Sequence, residues 1–390
     1  MRIERLRIKN YRVLRDVTFR DLTPLTVLYG PNGSGKSTVF DVFAFLHQAF
    51  TVGLRAAWDE RLRMDAIRSR GCSGPVEFEI AYRAVGPEGR ERLVTYALAL
   101  DQVGSTPIVA SERLRWSTSP GAGRPREILT FAQGEGTVYD EKTGQTEDVR
   151  LAAPDLLAVS ALGQFRDHPR VQVLRDFFQG WYLSYISAGE TRALPQSGPE
   201  PHLSRSGDNL ANVIQFLDEE HPDVLREIFA RLGRRVPQLE SVLPEPLADG
   251  RLLLRLKDKP FAEPILSRFA SDGTLKLLAY LVVLHDPAPF PVIGIEEPEN
   301  QLHPRLMASL VDEIRSVAGR SQFLVTTHSP EVLGAAEAKE AWSVHRGEDG
   351  FARVSRVSDD PRAMAMLDAG GSLGQLWTEG YLPGTNPEAW

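Results

Sequence analysis

The sequence predicts an α/β protein whose largely parallel sheet is interrupted by an antiparallel β subdomain and an inserted helical lobe. Three observations carry that expectation. A short apolar run, Thr26-Val27-Leu28-Tyr29, leads straight into the glycine-rich turn Gly30-Pro31-Asn32-Gly33-Ser34-Gly35-Lys36-Ser37-Thr38. A second apolar run, 292–295, ends in two adjacent carboxylates, Glu296 and Glu297. Between the two, strand-like stretches give way to helical ones, so something large separates two halves of one sheet.

The elements follow in order. Residues 2–8 alternate, with Ile3, Leu6 and Ile8 set against Arg and Glu, and 13–19 reads as a second strand. The stretch 38–50 is apolar almost all round, which marks a buried helix. Runs 75–83, 92–100, 108–116 and 126–131 are strand-like and broken by turns such as Gly86-Pro87-Glu88-Gly89, which predicts an antiparallel sheet. Residues 150–235 read helically, with 210–217 after a capping Asp208 as the clearest helix, and 190–207 as a Pro/Ser/Gly-rich loop. Strand character returns at 239–257. The alternation of helix 273–284, strand 291–296, helix 304–318 and strand 322–327 then implies parallel pairing.

These elements divide the chain into an N-terminal motor half with the antiparallel subdomain (1–145), a helical lobe (146–257), a C-terminal motor half (258–345) and a tail (346–390). In the tail, Leu376-Trp377 and Tyr381-Leu382 suit docking on the core or on a partner. At 390 residues, 42% hydrophobic and 25% charged, the chain has ordinary globular composition and length for a sizeable core. A net charge of −7 excludes a uniformly basic nucleic-acid coat but leaves room for a local basic groove. The sole cysteine, Cys72, excludes an intrachain disulfide and a cysteine zinc cluster. No apolar stretch approaches the roughly 20 residues that span a membrane, and no apolar signal core follows Met1, so a cytoplasmic location is expected.

The chemistry starts from the glycine turn, which fits the phosphate-binding P-loop. Glycines at 30, 33 and 35 let backbone N–H groups face a β-phosphate, Lys36 reaches the β/γ oxygens, and the Ser37 hydroxyl suits Mg²⁺. Glu296 and Glu297 stand at the carboxyl edge of a buried strand, where ligands bind in open α/β sheets. Neighbouring strand residues point to opposite sides, so Glu296 suits holding magnesium and Glu297 suits polarising an attacking water. His328, at the tip of the run Leu324-Val325-Thr326-Thr327, reads either as a structural histidine or as a γ-phosphate sensor. Ser271-Asp272-Gly273-Thr274 reads either as a plain helix cap or as an anion-binding helix start. Arg55, Arg61, Arg63, Arg68 and Arg70 form the densest basic run, either a DNA-facing patch or a solvated helix face.

Taken in order, the P-loop, the Ser-Asp-Gly helix start, the strand ending Glu296-Glu297-Pro298-Glu299, then Asn300-Gln301-Leu302-His303-Pro304 and Thr327-His328-Ser329-Pro330 resemble the ATP-binding-cassette head of SMC/RecF-type proteins. They are most similar to stand-alone ATPases related to OLD (overcoming lysogenisation defect) proteins. The resemblance is close over about 1–50 and 260–345 and loose between. It implies ATP and Mg²⁺ as cofactors. Ser271 and Gly273 would form the signature touching the γ-phosphate of ATP held by a second subunit; Glu297 would be the catalytic glutamate, 300–303 the D-loop and His328 the switch histidine. Arg12 matches a basic position near the nucleotide. Gln164 matches the Q-loop glutamine and a metal ligand, with a surface glutamine the equal alternative. Two departures stand out: Glu296 replaces the usual Asp, and Asp272 replaces a signature glycine.

The implied protein is an ATPase that forms a homodimer around ATP and acts as sensor or scaffold for a separate effector, such as a nuclease, in bacterial anti-phage defence or DNA maintenance. OLD nucleases carry a Toprim domain whose length and spacing the carboxylates after His328 lack, so no nuclease activity is expected in this chain. The alternatives are a RecF/SMC-like DNA-binding repair or chromosome-associated ATPase, and a slow-turnover nucleotide-gated assembly protein.

Overall fold

The computed structural model describes residues 1–86, 88–117 and 125–385; Pro87 of the expected turn and 386–390 of the expected tail lie outside them. The chain opens with β1 (Arg2–Tyr11), β2 (Leu14–Arg20) and β3 (Leu25–Tyr29), then the P-loop helix Lys36–Thr51. β4 (Val76–Val85), β5 (Glu91–Val103), β6 (Thr106–Trp116), β7 (Arg126–Ala132), β8 (Glu135–Tyr139) and β9 (Thr146–Arg150) follow as successive antiparallel strands. After helices Ala158–Leu162 and Pro169–Gln179 come β10 (Tyr182–Ser184) and helices Leu210–Glu220 and Pro222–Arg235. The last part carries β11 (Leu239–Pro246), β12 (Leu252–Asp258), β13 (Ile265–Leu266), helix Asp272–Leu284, β14 (Val292–Glu296), helix Met307–Val317, β15 (Gln322–Thr327), β16 (Ala341–Arg346) and β17 (Ala352–Arg356).

The central sheet has the order β10-β14-β15-β3-β16-β17, parallel except for the final β16–β17 hairpin. The antiparallel sheet has eight strands, β2-β1-β4-β5-β6-β7-β8-β9, and lies over the P-loop helix. Period-two alternation explains how one sheet serves two cores. Leu28, Val292 and Leu324 face the core shared with the P-loop helix and the antiparallel sheet. Their neighbours Val27, Ile293 and Val325 face the helices Leu210–Glu220, Pro222–Arg235, Asp272–Leu284 and Met307–Val317. Strands buried on both faces read as continuous apolar runs, which is why they stand out in the sequence. This is the ATP-binding-cassette type of P-loop NTPase fold.

Three local readings change. β8 and β9 extend the antiparallel sheet beyond the predicted strands. The stretch 150–235 is not helical throughout, because β10 joins the central sheet beside β14; three residues are too few to show a period. Asp208 is not the cap of helix Leu210–Glu220. Asn209 holds that position, while Asp208 accepts from the hydroxyls of Ser204 and Ser206. The tail packs on the core: Leu376 and Leu382 are buried with Tyr29, and the Trp377 and Tyr29 ring centroids lie 5.9 Å apart, whereas Tyr381 stays exposed. Among the described residues no helix is long and apolar enough to cross a membrane.

Candidate nucleotide site

β3 ends at Tyr29 and the chain turns at once through Gly30 (φ 151°), Gly33 (φ 75°) and Gly35 (φ 118°), conformations that L side chains rarely adopt. Space is equally restrictive at Gly30, where a Cβ would come within 2.1 Å of the Val344 carbonyl oxygen on β16. From the same strand Arg346 donates through Nε to the Gly33 carbonyl at 2.8 Å, bracing the loop from outside. Gly35 leads into the N-terminus of the P-loop helix, where free N–H groups and the helix dipole favour an anion. The Lys36 ammonium donates to the carbonyls of Gly30 (2.6 Å) and Pro31 (3.0 Å). Burial lowers its pKa, while Glu297, Glu299 and Glu296 oppose that shift.

β14 and β15 end beside this loop. Glu296 closes β14, and Glu297 just beyond it has φ 46°, a left-handed conformation that costs about 1–3 kcal/mol for a non-glycine residue. The strain is held by the Glu297 N–H donating to the Thr326 carbonyl (2.9 Å) and by Asn300 Nδ2 donating to Glu297 Oε2 (3.0 Å). His328 Nδ1 lies 3.1 Å from Glu297 Oε1 without hydrogen-bond alignment. Glu299 fixes the histidine's backbone: its Oε1 accepts from Thr327 Oγ1 (2.8 Å) and from the His328 N–H (2.9 Å). Ser37, Glu296, Glu297, Lys276 and Asn300 line one cleft of about 670 Å³, together with Ser184 at the end of β10 and Tyr185 after it.

The residues present fit a magnesium–nucleotide complex. Ser34 Oγ and Thr326 Oγ1 are buried without any hydrogen-bond partner, one in the loop and one at the end of β15. The Ser37 hydroxyl and the Glu296 carboxylate face the same cleft, and hard oxygen donors of this kind suit Mg²⁺. On the other side of the P-loop, Arg12, Thr38, Arg68, Arg70, Arg346 and Phe351 line a second cleft of about 620 Å³. Arg12, itself at φ 48°, pairs with Asp41 at 2.9 Å, and Asp41 also binds Tyr11 and Arg61.

The helix Asp272–Leu284 has exposed Ser271 at its N-cap position; the Ser271 carbonyl accepts from the Thr274 and Leu275 N–H groups, while its side chain makes no capping bond. Asp272 is not a bare carboxylate: Arg192 donates to it and, at 2.7 Å, to the Ala270 carbonyl.

Comparison with known proteins follows the same lines. The profile of a family described as an AAA domain, putative AbiEii toxin, Type IV TA system, matches residues 139–334. The chain belongs to this AAA family. A second profile, an AAA ATPase domain, matches residues 1–80 and so takes in the P-loop. The search of curated proteins returns no match. Among solved structures, an Smc head bound to the C-winged-helix domain of ScpA superposes with a TM-score of 0.56 at 14% identity, covering 91% of this chain and 97% of that one. An Smc head with an extended coiled coil, bound to the C-terminal domain of ScpA derived from Pyrococcus furiosus, gives 0.52 at 13% identity, covering 94% and 99%. At such identities the likeness is one of fold.

As an ATPase of the AAA/SMC-head type, the chain gathers the P-loop residues Asn32 to Thr38, Glu296, Glu297 and His328 along one sheet edge. Gln164 is not brought there. It is exposed, its amide donates to the Ser160 carbonyl (3.1 Å), and the cleft is lined instead by Ser184 and Tyr185, beside the end of β14. The arginine run is not one face either. Arg61 is buried on Asp41, while Arg55, Arg63 and Arg68 pair with Asp155, Asp59 and Asp101 respectively. Sequence reasoning missed Glu299, Lys276, Arg192 and Arg346. Glu299 alone left a local signal, as the next acid after Glu297.

Proposed function

We propose that the chain binds ATP with magnesium and hydrolyses it, and that two copies close around the nucleotide. The observation that carries hydrolysis is the meeting of Glu297 and His328 (3.1 Å) beside the P-loop at the carboxyl edge of the parallel strands of the central sheet. The loop's backbone N–H groups and Lys36 hold the phosphates. Glu297, held in a strained conformation, takes a proton from water at its Oε1 or Oε2, and His328 orients that water. Magnesium held by Ser37 and Glu296 would neutralise charge developing on the phosphate oxygens.

An exposed Ser271 without a side-chain capping bond at this helix N-terminus supports closure, because its N–H groups can receive an anion from a second copy. Arg192 on Asp272 offsets the carboxylate charge that would otherwise repel a triphosphate there. On this reading the ATP cycle drives opening and closing, and the chain acts as a sensor or scaffold for an effector on a separate chain, in defence or DNA maintenance. The toxin–antitoxin description of its family suits such a two-component arrangement.

The test pairs phosphate release with light scattering. The Glu297→Gln chain should bind ATP, stop releasing phosphate and run as an ATP-dependent dimer. Normal turnover by that variant would sink the catalytic assignment, and a monomer with ATP bound would sink closure.

A further inference from the structure

Lys276 lies one turn inside the helix that starts at Ser271, and it is only 3% exposed. A buried ammonium is costly unless it has partners. Its Nζ donates to the Asn300 carbonyl at 2.7 Å, and the ring centroid of Tyr280 lies 5.6 Å away. The carboxylates acting on it are Glu299 and Glu297; burial, the larger influence, lowers its pKa to about 8. Asn300 passes the contact on. Its N–H donates to the Glu297 carbonyl (3.1 Å) and its Nδ2 to Glu297 Oε2 (3.0 Å). The same helix also touches this turn at its start: a Cβ on Gly273 would lie 3.0 Å from the Gln301 carbonyl oxygen.

We propose that Lys276 is a positioning residue that locks the Asn300 turn to the Ser271 helix, so that helix and Glu297 carboxylate move as one unit. The role rests on the reading of Glu297 as the water-activating base. Two features make the lock necessary. Glu297 holds a left-handed backbone whose side-chain anchor is Asn300. Asn300 and Gln301 are both exposed, so packing holds the ends of the turn at Pro298 and Leu302 but not the Asn300 side chain. An anion from a second copy settling on the Ser271 end would then be felt at Glu297 of the same chain, through two hydrogen bonds.

Steady-state ATP hydrolysis and fluorescent-ATP titration on the full chain test this. Lys276→Met should lower kcat by ~30- to 100-fold with KM changed less than about threefold, as expected when only the geometry of a reacting group is lost. Lys276→Arg should regain most of the rate, because it restores a charged donor. Unchanged turnover by Lys276→Met overturns the role, as does a Lys276→Arg chain as slow as Lys276→Met with an equal loss of thermal stability. If Lys276→Met does not fold, Asn300→Ala on the exposed turn takes its place: it should lose kcat at unchanged KM, and an unchanged kcat overturns the proposal. A parent chain that releases no phosphate overturns the Glu297 reading itself, and Lys276 loses its role with it.

Discussion

The two walls of the nucleotide cleft are built by opposite means. The P-loop wall is backbone: three glycines in left-handed conformations, a loop pressed against the Val344 carbonyl and a carbonyl braced by Arg346. The Glu297 wall is held by side chains: Lys276 binds the Asn300 carbonyl, Asn300 binds the Glu297 carboxylate, and Glu299 fixes His328 beside it. A wall of backbone has its shape fixed by folding, so damage there should appear as lost binding or stability. A wall of side chains can lose one member and stay folded, so damage there should appear as lost turnover.

Four measurements break or sharpen that contrast. Glu297→Gln should reduce kcat by ~10³-fold, within the usual range for removing a general base, while ATP affinity stays put. A matching loss of affinity would erase the distinction between the walls. Lys36→Ala should weaken ATP binding by ~10²-fold, the loss of about two charge-assisted hydrogen bonds; affinity equal to the parent would remove the P-loop assignment. Gly30→Ala should lower unfolding stability by about 3 kcal/mol in denaturant titration, since a methyl group must displace the Val344 carbonyl. A fully stable Gly30→Ala chain would show that the loop yields more easily than its packing implies.

The smallest effect lies away from the cleft. Glu112 is buried in the antiparallel sheet, where Oε2 accepts from the Ala158 N–H (2.6 Å) and Oε1 from the Val159 N–H (3.1 Å) and Tyr96 OH (2.9 Å). Burial pushes its pKa up to about 7, against these donors. With the folded value above the ordinary carboxyl value, the native state holds the extra proton. The stability contribution is therefore full below the ordinary value and is lost as pH climbs through about 7. Melting curves between about pH 5 and about pH 8 should show the parent losing stability relative to Glu112→Gln, which has no proton to lose. Parallel curves would show that Glu112 does not titrate there.

How much the sequence revealed follows the same division. The glycines, Lys36 and the doubly buried strands are local patterns, written within a few residues of one another. β10 escaped because three residues carry no period, and its neighbour β14 lies far along the chain. The partners of the site escaped for a related reason. Arg346 reaches Gly33, Arg192 reaches Asp272 and Lys276 reaches Asn300 only after folding, and an isolated Arg or Lys in sequence looks the same whether it braces a loop or faces water. Gln164 failed in reverse: a plausible local context placed it in the cleft, and tertiary structure put it elsewhere.

The position of β3 has a consequence for how the protein comes into being. Leu25 pairs with Phe323 on one side and Val27 with Ala341 on the other, so the strand that carries the P-loop finds its neighbours only after β15 and β16, far along the chain, have been made. Contacts this distant in sequence are slow to close. Until β15 and β16 leave the ribosome, the nascent chain holds the apolar strand β3 with no central sheet to enter, a form open to chaperones and proteases. The ability to bind nucleotide should therefore arise late and all at once.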